Sequence, residues 1–278
     1  MADERTWYLG PTGDLRGLVS PDNGVERTVD RYGGVHQSLS GARTMDITGH
    51  RATYKLEIPA VTPDESRFLE ALHYRTVPGP YRLIDPMSRN RLSRDAAILK
   101  PFTRDVTTTS GSLLRSAVGG PTAQAGVPVS GSVWSSYTLG ASLTLPPVPV
   151  LAGETLAISL WLATASGDTP VTLTLNAAVT NATGAAIETG QMTVTAADHW
   201  DRSASTLPMP DQAAQMQLSL TPTSGTSDLW IAAAQIEAAT TPGVWDLGGG
   251  APMVLLDQLE RSSTIYPLND LTVTLLEV

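Results

Sequence analysis

Residues 51–86 limit the possible folds of this chain most strictly, because local chemistry marks every boundary within them. Tyr54, Leu56 and Ile58 alternate with polar neighbours, which is the two-residue period of a strand buried on one face. The stretch therefore begins with a half-buried strand, and the elements that follow must pack on the sheet to which it belongs.

A short helix is predicted to begin at Pro63. Thr62 can cap it, and Glu65 at the third helical position completes a capping box. Phe68 and Leu72 share one face of this helix, so that face can pack on the sheet. The sequence thus predicts a strand followed directly by an amphipathic helix.

The helix must end before Pro78-Gly79-Pro80, since proline cannot continue it. A second strand is predicted at Tyr81–Ile84, directly after this turn. Beyond it, Arg89, Arg91 and Arg94 lie in a polar loop. We interpret them as a solvated face rather than as a surface for an acidic partner.

Several short strands are predicted before this unit, with an Asn23-Gly24 turn among them. They are Arg5–Gly10, Leu15–Val19, Val25–Tyr32 and Val35–Leu39, followed by an alternation at Met45 and Ile47. The first third of the chain is therefore a small β-rich domain with one helix.

From Val106 onward, short alternating runs of Thr, Ser, Ala, Val and Leu are separated by Gly and Pro. Eight such strands with turns between them are typical of a jelly-roll β-sandwich. The predicted strands are Ser132–Leu139, Ser142–Leu145, Thr155–Ala163, Val171–Val179, Ala186–Val194, Asp198–Leu207, Gln215–Thr221 and Asp228–Glu237.

The distribution of charge indicates where the domains meet. Residues 106–250 contain only Arg115 and Arg202 as cations, against nine acidic residues, whereas the preceding residues contain 15 of the 18 Lys and Arg of the chain. After the glycines at 248–250, Val254–Leu256 and the alternation at Leu271–Leu275 provide two more strands. We predict that these return to the first domain, so that residues 1–105 and 251–278 form a split domain with 106–250 inserted.

Composition excludes several classes of function. The chain has no cysteine, which rules out disulfides and thiolate chemistry, and its net charge of −9 argues against nucleic-acid binding. No apolar run is long enough to span a membrane and no signal core is present at the N-terminus, so we expect a protein made in the cytoplasm without membrane insertion.

No catalytic or metal site is predicted. The four histidines have no metal-ligand spacing, and phosphate-loop and nucleophile-elbow motifs are absent. Asp198 and Asp201 flank Trp200 and are the one acidic pair considered for hydrolysis, although acids are common where a strand begins. We therefore expect neither a cofactor nor a metal and predict that the chain is not an enzyme.

Aromatic side chains are the best candidates for ligand contact, because sugar rings stack on exposed indoles. Trp161 and Trp230 lie in apolar runs and are predicted to be core residues. Trp134, Tyr137 and Trp200 are less enclosed by apolar neighbours and are the candidates for carbohydrate contact, with core packing as the alternative for each.

The first hundred residues and the last few tens resemble the distal tail and related minor tail proteins of long-tailed bacteriophages. The resemblance rests on residues 33–51, on Ala60–Glu65 and on Pro78–Pro86, in that order. It implies a non-enzymatic protein that forms a ring, expected to be a hexamer, and contacts tail-tube and tail-tip hub proteins at the tip of the virion. The residues implied to shape the ring domain are Thr62, Pro63, Glu65, Phe68, Leu72, Pro78, Gly79 and Pro80.

The inserted region resembles the carbohydrate-binding-module type of jelly roll that occurs in phage tail and fibre proteins, most specifically over Asp228–Trp245. The residues that match this pattern are Trp161, Trp200, Arg202, Trp230, Gln235, Glu237, Pro242 and Trp245. The resemblance implies contact with host polysaccharide or with a neighbouring tail protein. An insertion of separate origin would also account for the change in charge.

The sequence as a whole predicts a mainly β structural protein of a phage tail tip. One alternative is a free, monomeric carbohydrate-binding protein or accessory module. Another is a hydrolase that uses Asp198 and Asp201 on a cell-wall polymer.

Overall fold

The computed structural model describes residues 6–19, 21, 25–38, 40–45, 49–115, 120–122, 129–165, 167–225, 227–263 and 266–278. The chain is mainly β, as predicted, with two helices among the described residues. The Asn23-Gly24 turn and the alternation at Ile47 lie outside the described residues. Among the helices described, none has the length and apolar character needed to cross a membrane.

The chain divides into two compact units. One consists of residues 6–11, 16–83 and 252–278, which we call the split unit, and the other of residues 12–15 and 84–251, which we call the sandwich unit. The predicted boundaries at residues 105 and 250 differ from this division mainly over residues 84–105. The functional assignment of the domains stays a prediction.

The elements of the split unit are β1 Tyr8–Gly10, β2 Arg16–Gly17, β3 Val25–Tyr32, β4 Val35–Gln37, β5 Arg43–Met45, β6 Gly49–Val61, α1 Pro63–His73, β7 Tyr81–Ile84, β19 Met253–Ser262 and β20 Asn269–Glu277. They form a seven-stranded sheet of order β2-β1-β7-β19-β20-β6-β3 and a separate β4-β5 hairpin. The two last strands of the chain therefore lie between strands from its first third.

The predicted strand–helix–strand stretch is confirmed. Tyr54, Leu56 and Ile58 of β6 are buried, and Phe68 and Leu72 of α1 belong to the same core. The capping box is also present: Thr62 accepts a hydrogen bond from the Glu65 N–H, and the Glu65 carboxylate accepts one from the Thr62 N–H at 2.9 Å.

Tyr81 joins the end of α1 to the turn that follows it. Its hydroxyl lies 2.7 Å from the carbonyl oxygens of both Leu72 and Val77, so its one proton is shared between the two acceptors. The Leu72 carbonyl also accepts a hydrogen bond from the Arg75 N–H at 3.1 Å. Burial raises the pKa of Tyr81, against a smaller lowering effect of Arg75, and the phenol remains a neutral donor.

We predict that Tyr81→Phe loosens the end of α1, because the Val77 and Leu72 carbonyls lose the phenol donor and Leu72 keeps only the Arg75 N–H, at a cost of about 1–2 kcal/mol. Hydrogen exchange of the backbone amides of residues 70–77, followed by mass spectrometry, should become about tenfold faster or more. The matched control is Tyr74→Phe, since Tyr74 is exposed. Equal exchange in the two variants would contradict the assignment.

The sandwich unit contains two sheets that enclose a common core. Its elements are α2 Arg94–Ala97, β8 Thr107–Thr108, β9 Ser112–Arg115, β10 Ser132–Ser135, β11 Leu143–Thr144, β12 Val148–Pro149, β13 Thr155–Thr164, β14 Val171–Thr180, β15 Ala186–Ala196, β16 Asp201–Pro208, β17 Gln215–Ser224 and β18 Leu229–Ala238. The five-stranded sheet has the order β16-β13-β18-β10-β9, and the six-stranded sheet has the order β15-β14-β17-β11-β8 with β12 also paired to β17.

All eight strands predicted for this region are present, with shifts at their ends. The short β8, β9 and β12 and the single turn of α2 were not predicted, because two to four residues carry too little periodicity to recognise. The predicted strand Ser132–Leu139 is shorter in the structure, where β10 ends at Ser135.

The interpretation of the loop after β7 as a solvated face is wrong for Arg91. Its guanidinium forms a bidentate ion pair with Glu154, with Nη1–Oε1 at 2.5 Å and Nη2–Oε2 at 2.7 Å, and the two side chains are 5% and 3% exposed. Nη1 also donates to the Pro149 carbonyl, and Glu154 Oε1 accepts from the Leu151 N–H. Arg91 is therefore a structural residue of the sandwich unit.

Removing one partner of this pair leaves a lone buried charge. We predict that Arg91→Met lowers the free energy of unfolding of the sandwich unit by about 3–5 kcal/mol. The double variant Arg91→Met/Glu154→Leu should lose less, since neither charge remains. Urea unfolding followed by tryptophan fluorescence reports on this unit, because five of the six tryptophans lie in it.

The control for this series is Lys100→Met, which removes a half-exposed ion pair with Asp95 and should change the unfolding free energy by less than about 1 kcal/mol. A double variant at least as unstable as Arg91→Met would contradict the explanation.

Candidate functional site

The outer face of the five-stranded sheet carries the most distinctive cluster of side chains in the sandwich unit. Strand register places Arg202 of β16 directly opposite Trp161 of β13, and Trp161 opposite Ala232 of β18. Because residues directly opposite in a sheet share a face, these three form one row across it. We call Trp161, Trp200, Trp230, Arg202 and Ser159 the tryptophan face.

Trp200 and Trp230 form the neighbouring part of this face. Their ring centroids are 6.3 Å apart with an angle of 37° between the planes, and both side chains are half-buried. Small residues make room for them. Trp230 is opposite Ala163, and a Cβ atom added at Gly131 would lie only 3.2 Å from Cη2 of Trp200. The indoles thus lie close to the sheet and remain partly accessible.

Arg202 supplies the one cation of the tryptophan face. Its Nη2 donates to Ser159 Oγ at 2.8 Å, whereas its Nε is enclosed and has no hydrogen-bond partner among the described residues. Burial lowers the pKa of Arg202, and the charge of Glu237 opposes that effect more weakly. The guanidinium is therefore partly dehydrated and only partly satisfied.

Gln235, Glu237 and Trp245, which the jelly-roll resemblance also selected, hold the chain that follows β18. Glu237 Oε1 accepts from the Gly243 N–H at 2.5 Å, and Gln235 Oε1 accepts from the Asp246 N–H at 3.1 Å. Trp245 is buried and donates its indole N–H to the Ala234 carbonyl. These side chains are occupied within the protein, so they support the face rather than offer contacts to a ligand.

The structure corrects the prediction of carbohydrate contact for Trp134. Its side chain is 0% exposed, it donates to the Ser110 carbonyl at 2.9 Å, and it packs in the core between the sheets. No indole surface is available there for a sugar. The short run SVWSS contains few large apolar residues and gave no sign of this burial.

Tyr137 lies beside Trp134 and is half-buried, with ring centroids 4.9 Å apart. Its hydroxyl donates to the Ser227 carbonyl at 2.7 Å, and burial raises its pKa, with Asp228 adding to the effect. Both its ring and its hydroxyl are thus used in packing, and it is not part of the tryptophan face.

The prediction that Trp161 and Trp230 are core residues is also corrected. Both are half-buried on the outer side of the sheet. Of the three predicted sugar contacts, Trp200 alone lies on the tryptophan face. The two other indoles there were missed because apolar runs on a central strand do not show which side of the sheet is covered.

Asp198 and Asp201 occupy exposed positions at the start of β16. Asp198 lies 3.2 Å from Nδ1 of His199, and Asp201 accepts the Arg202 N–H at 2.9 Å. Each carboxylate thus has a local partner. Within the described ranges, no group of three or more His, Asp or Glu side chains could hold a metal ion.

The outer face of the six-stranded sheet has a different composition from the tryptophan face. Among the described residues of its strands, the register aligns hydroxyl and amide side chains without an aromatic or charged group, so these residues offer no surface for stacking. Its residues include Thr172, Thr174, Asn176, Thr189, Gln191, Thr193, Gln217, Ser219 and Thr221.

One cleft of about 390 Å³ lies on the seven-stranded sheet of the split unit and is lined by Glu57, Glu260, Arg261 and Asp270, among others. Arg261 contacts Asn269 and Glu70, and Asp270 accepts the Ala60 N–H at 3.0 Å. Glu57 also pairs with Lys55 at 3.9 Å, so at least three of the four charged side chains are used in local structure. The tryptophan face is the stronger candidate site.

No family model matches the sequence, and no curated protein matches it either. Solved structures with a similar course of the chain include the enzymatically active domain of tailspike protein 4 from bacteriophage CBA120, with 13% identity, 54% of this chain covered and a TM-score of 0.44. That match spans 21% of the tailspike chain.

Carbohydrate-binding modules are also among these structures. The CBM22-1 xylan-binding domain from Paenibacillus barcinonensis Xyn10C matches 54% of this chain and 91% of its own, with 16% identity and a TM-score of 0.37. The CBM22-1–CBM22-2 tandem domain of the same protein matches 66% and 61%, with 16% identity and a TM-score of 0.41. At TM-scores below 0.5, these similarities assign neither a family nor a function to this chain.

Proposed function

We propose that this chain is a non-enzymatic structural protein of a phage tail tip, of the distal tail type. In this proposal the split unit forms a ring that contacts tail-tube and tail-tip hub proteins. The sandwich unit binds polysaccharide of the host surface. The observation that carries the binding role is the accessible indole pair of Trp200 and Trp230, since aromatic planes are the surfaces on which sugar rings stack.

The ring is supported by the sequence resemblance and by the edge of the seven-stranded sheet. β3 is the last strand of that sheet among the described residues, and seven of its eight residues are exposed. A long exposed edge strand presents backbone donors and acceptors to a neighbouring chain. Val29 and Tyr32 on this strand are large and 45% and 53% exposed, which favours association.

A free carbohydrate-binding protein is the alternative. It would use the same tryptophan face but would remain monomeric. The mass in solution therefore separates the two functions.

We predict that the purified full chain scatters light with a mass of about six chains of 29.3 kDa, as expected for a closed homomeric ring. Val29→Lys should reduce the ring to smaller species without unfolding the split unit, because Val29 is already half-exposed. The control is Leu139→Lys, an exposed apolar side chain on the sandwich unit. A monomer at all concentrations would favour the free carbohydrate-binding protein.

We predict that Trp200→Ala weakens binding to a soluble polysaccharide about five- to thirtyfold, since stacking on an indole is worth on the order of 1–2 kcal/mol. Affinity electrophoresis through gels containing polygalacturonate, alginate, galactan or dextran measures the effect. Trp200→Phe keeps an aromatic plane and should retain most of the binding. Equal retardation of the wild type and Trp200→Ala would exclude this face as the site.

A further inference from the structure

Arg202 is unusual in the region to which it belongs. Residues 106–250 contain nine acidic residues, and Arg115 is the one other cation. Even so, Arg202 does not form an ion pair: in the described part of the chain, no carboxylate lies within ion-pair distance of its guanidinium. Its one side-chain hydrogen bond there goes to the neutral hydroxyl of Ser159. Against the larger effect of burial, the charge of Glu237 raises the pKa of Arg202 without an ion pair between the two side chains, and the Glu237 carboxylate accepts its hydrogen bond from the Gly243 N–H.

The enclosed Nε of Arg202 makes this arrangement costly. A buried donor without a partner destabilises the folded chain, and a partly dehydrated cation adds to that cost. A neutral sugar hydroxyl could accept one hydrogen bond, but it cannot compensate the charge. A carboxylate can do both, because its two oxygens match the fork of a guanidinium.

The position of Arg202 suits a carboxylate carried on a stacked sugar. Arg202 lies directly opposite Trp161, on the row next to the pair of Trp200 and Trp230. Rows on one face are separated by about 7 Å along a strand, and neighbouring strands by about 4.8 Å. These distances are comparable with the width of one sugar residue, so a ring on an indole can bring an exocyclic group to Arg202.

We propose that the tryptophan face selects an acidic glycan, in which a carboxylate on the sugar ring binds Arg202 while the indoles bind the ring. The inference rests on the proposed glycan-binding function and names its ligand class. Asp198 and Asp201 are exposed beside Trp200 and repel dense negative charge. Spaced carboxylates, as in a uronic-acid polymer, are therefore favoured over a polyphosphate.

The test compares polymers that differ only in the carboxylate. Polygalacturonate, alginate and hyaluronate are each paired with their carboxyl-reduced products, and binding to the full chain is measured by calorimetry at fixed ionic strength. We expect at least one acidic polymer to bind about tenfold tighter or more than its reduced partner, the size of effect expected from a charge-assisted bidentate contact.

Variants assign the preference to Arg202. Arg202→Gln should abolish the preference for the acidic polymer, measured as the ratio of its affinity to that of the reduced polymer. Arg202→Lys, which keeps the charge but loses the fork, should retain part of the preference. Arg115→Gln removes the same net charge at an exposed position of β9 and should leave the preference intact. Thermal unfolding of each variant verifies the fold.

Equal binding of acidic and reduced polymers would overturn the acidic-glycan inference and leave the proposed binding of polysaccharide standing. If Arg202→Gln and Arg115→Gln reduced the preference for the acidic polymer equally, the inference would also be overturned, since the preference would then depend on net charge alone. If neither acidic nor neutral polymers bind, the proposed glycan-binding function itself is wrong.

Discussion

The bidentate ion pair of Arg91 and Glu154 is the contact on which the order of the sandwich unit depends most. Two buried charges stabilise a fold only when their geometry is good and their other donors and acceptors are satisfied. Both conditions hold here, because Arg91 also donates to Pro149 and Glu154 also accepts from Leu151. The pair fixes the segment before the first sandwich strand to the turn before β13. Residues 85–99 thereby become part of the sandwich unit instead of a loose connection.

Asn90, next to Arg91, extends this order to the opposite end of the sandwich sequence. Its side-chain amide donates to the carbonyls of Ala234 and Asp246, and its oxygen accepts from the Leu92 and Ile236 N–H groups. One buried side chain therefore ties β18 to the segment that follows it. Since β18 carries Trp230, one strand of the tryptophan face is held by hydrogen bonds to the Asn90 side chain, which also binds the segment after β18. A face ordered in advance loses little entropy when a ligand binds.

Most of the fold could be predicted from local patterns, but the burial of single large side chains could not. The alternation at Tyr54, Leu56 and Ile58 decides both the strand and its inner face, because the two-residue period admits only one arrangement. The burial of Arg91 depends on a partner 63 residues away, which no local pattern shows. The apolar run on β13 indicates that both faces of the strand are shielded from water, but it does not show which residues cover each face. The candidate site was therefore only partly predictable: Trp200 was identified and Trp161 was not.

The side chains on the outer face of the five-stranded sheet explain why alanine occurs in its strands. Alanine is a weak strand former, yet Ala163 of β13 and Ala232 of β18 occupy buried outer positions, and Ala204 occupies an exposed one on the edge strand β16. Large residues at these positions would push the indoles outward, whereas alanine lets Trp161, Trp200 and Trp230 lie close to the sheet. The same three alanines leave Arg202 without a bulky polar neighbour, so its guanidinium reaches only Ser159. The small residues thus create both the aromatic surface and the unsatisfied cation, and the two features belong to one site.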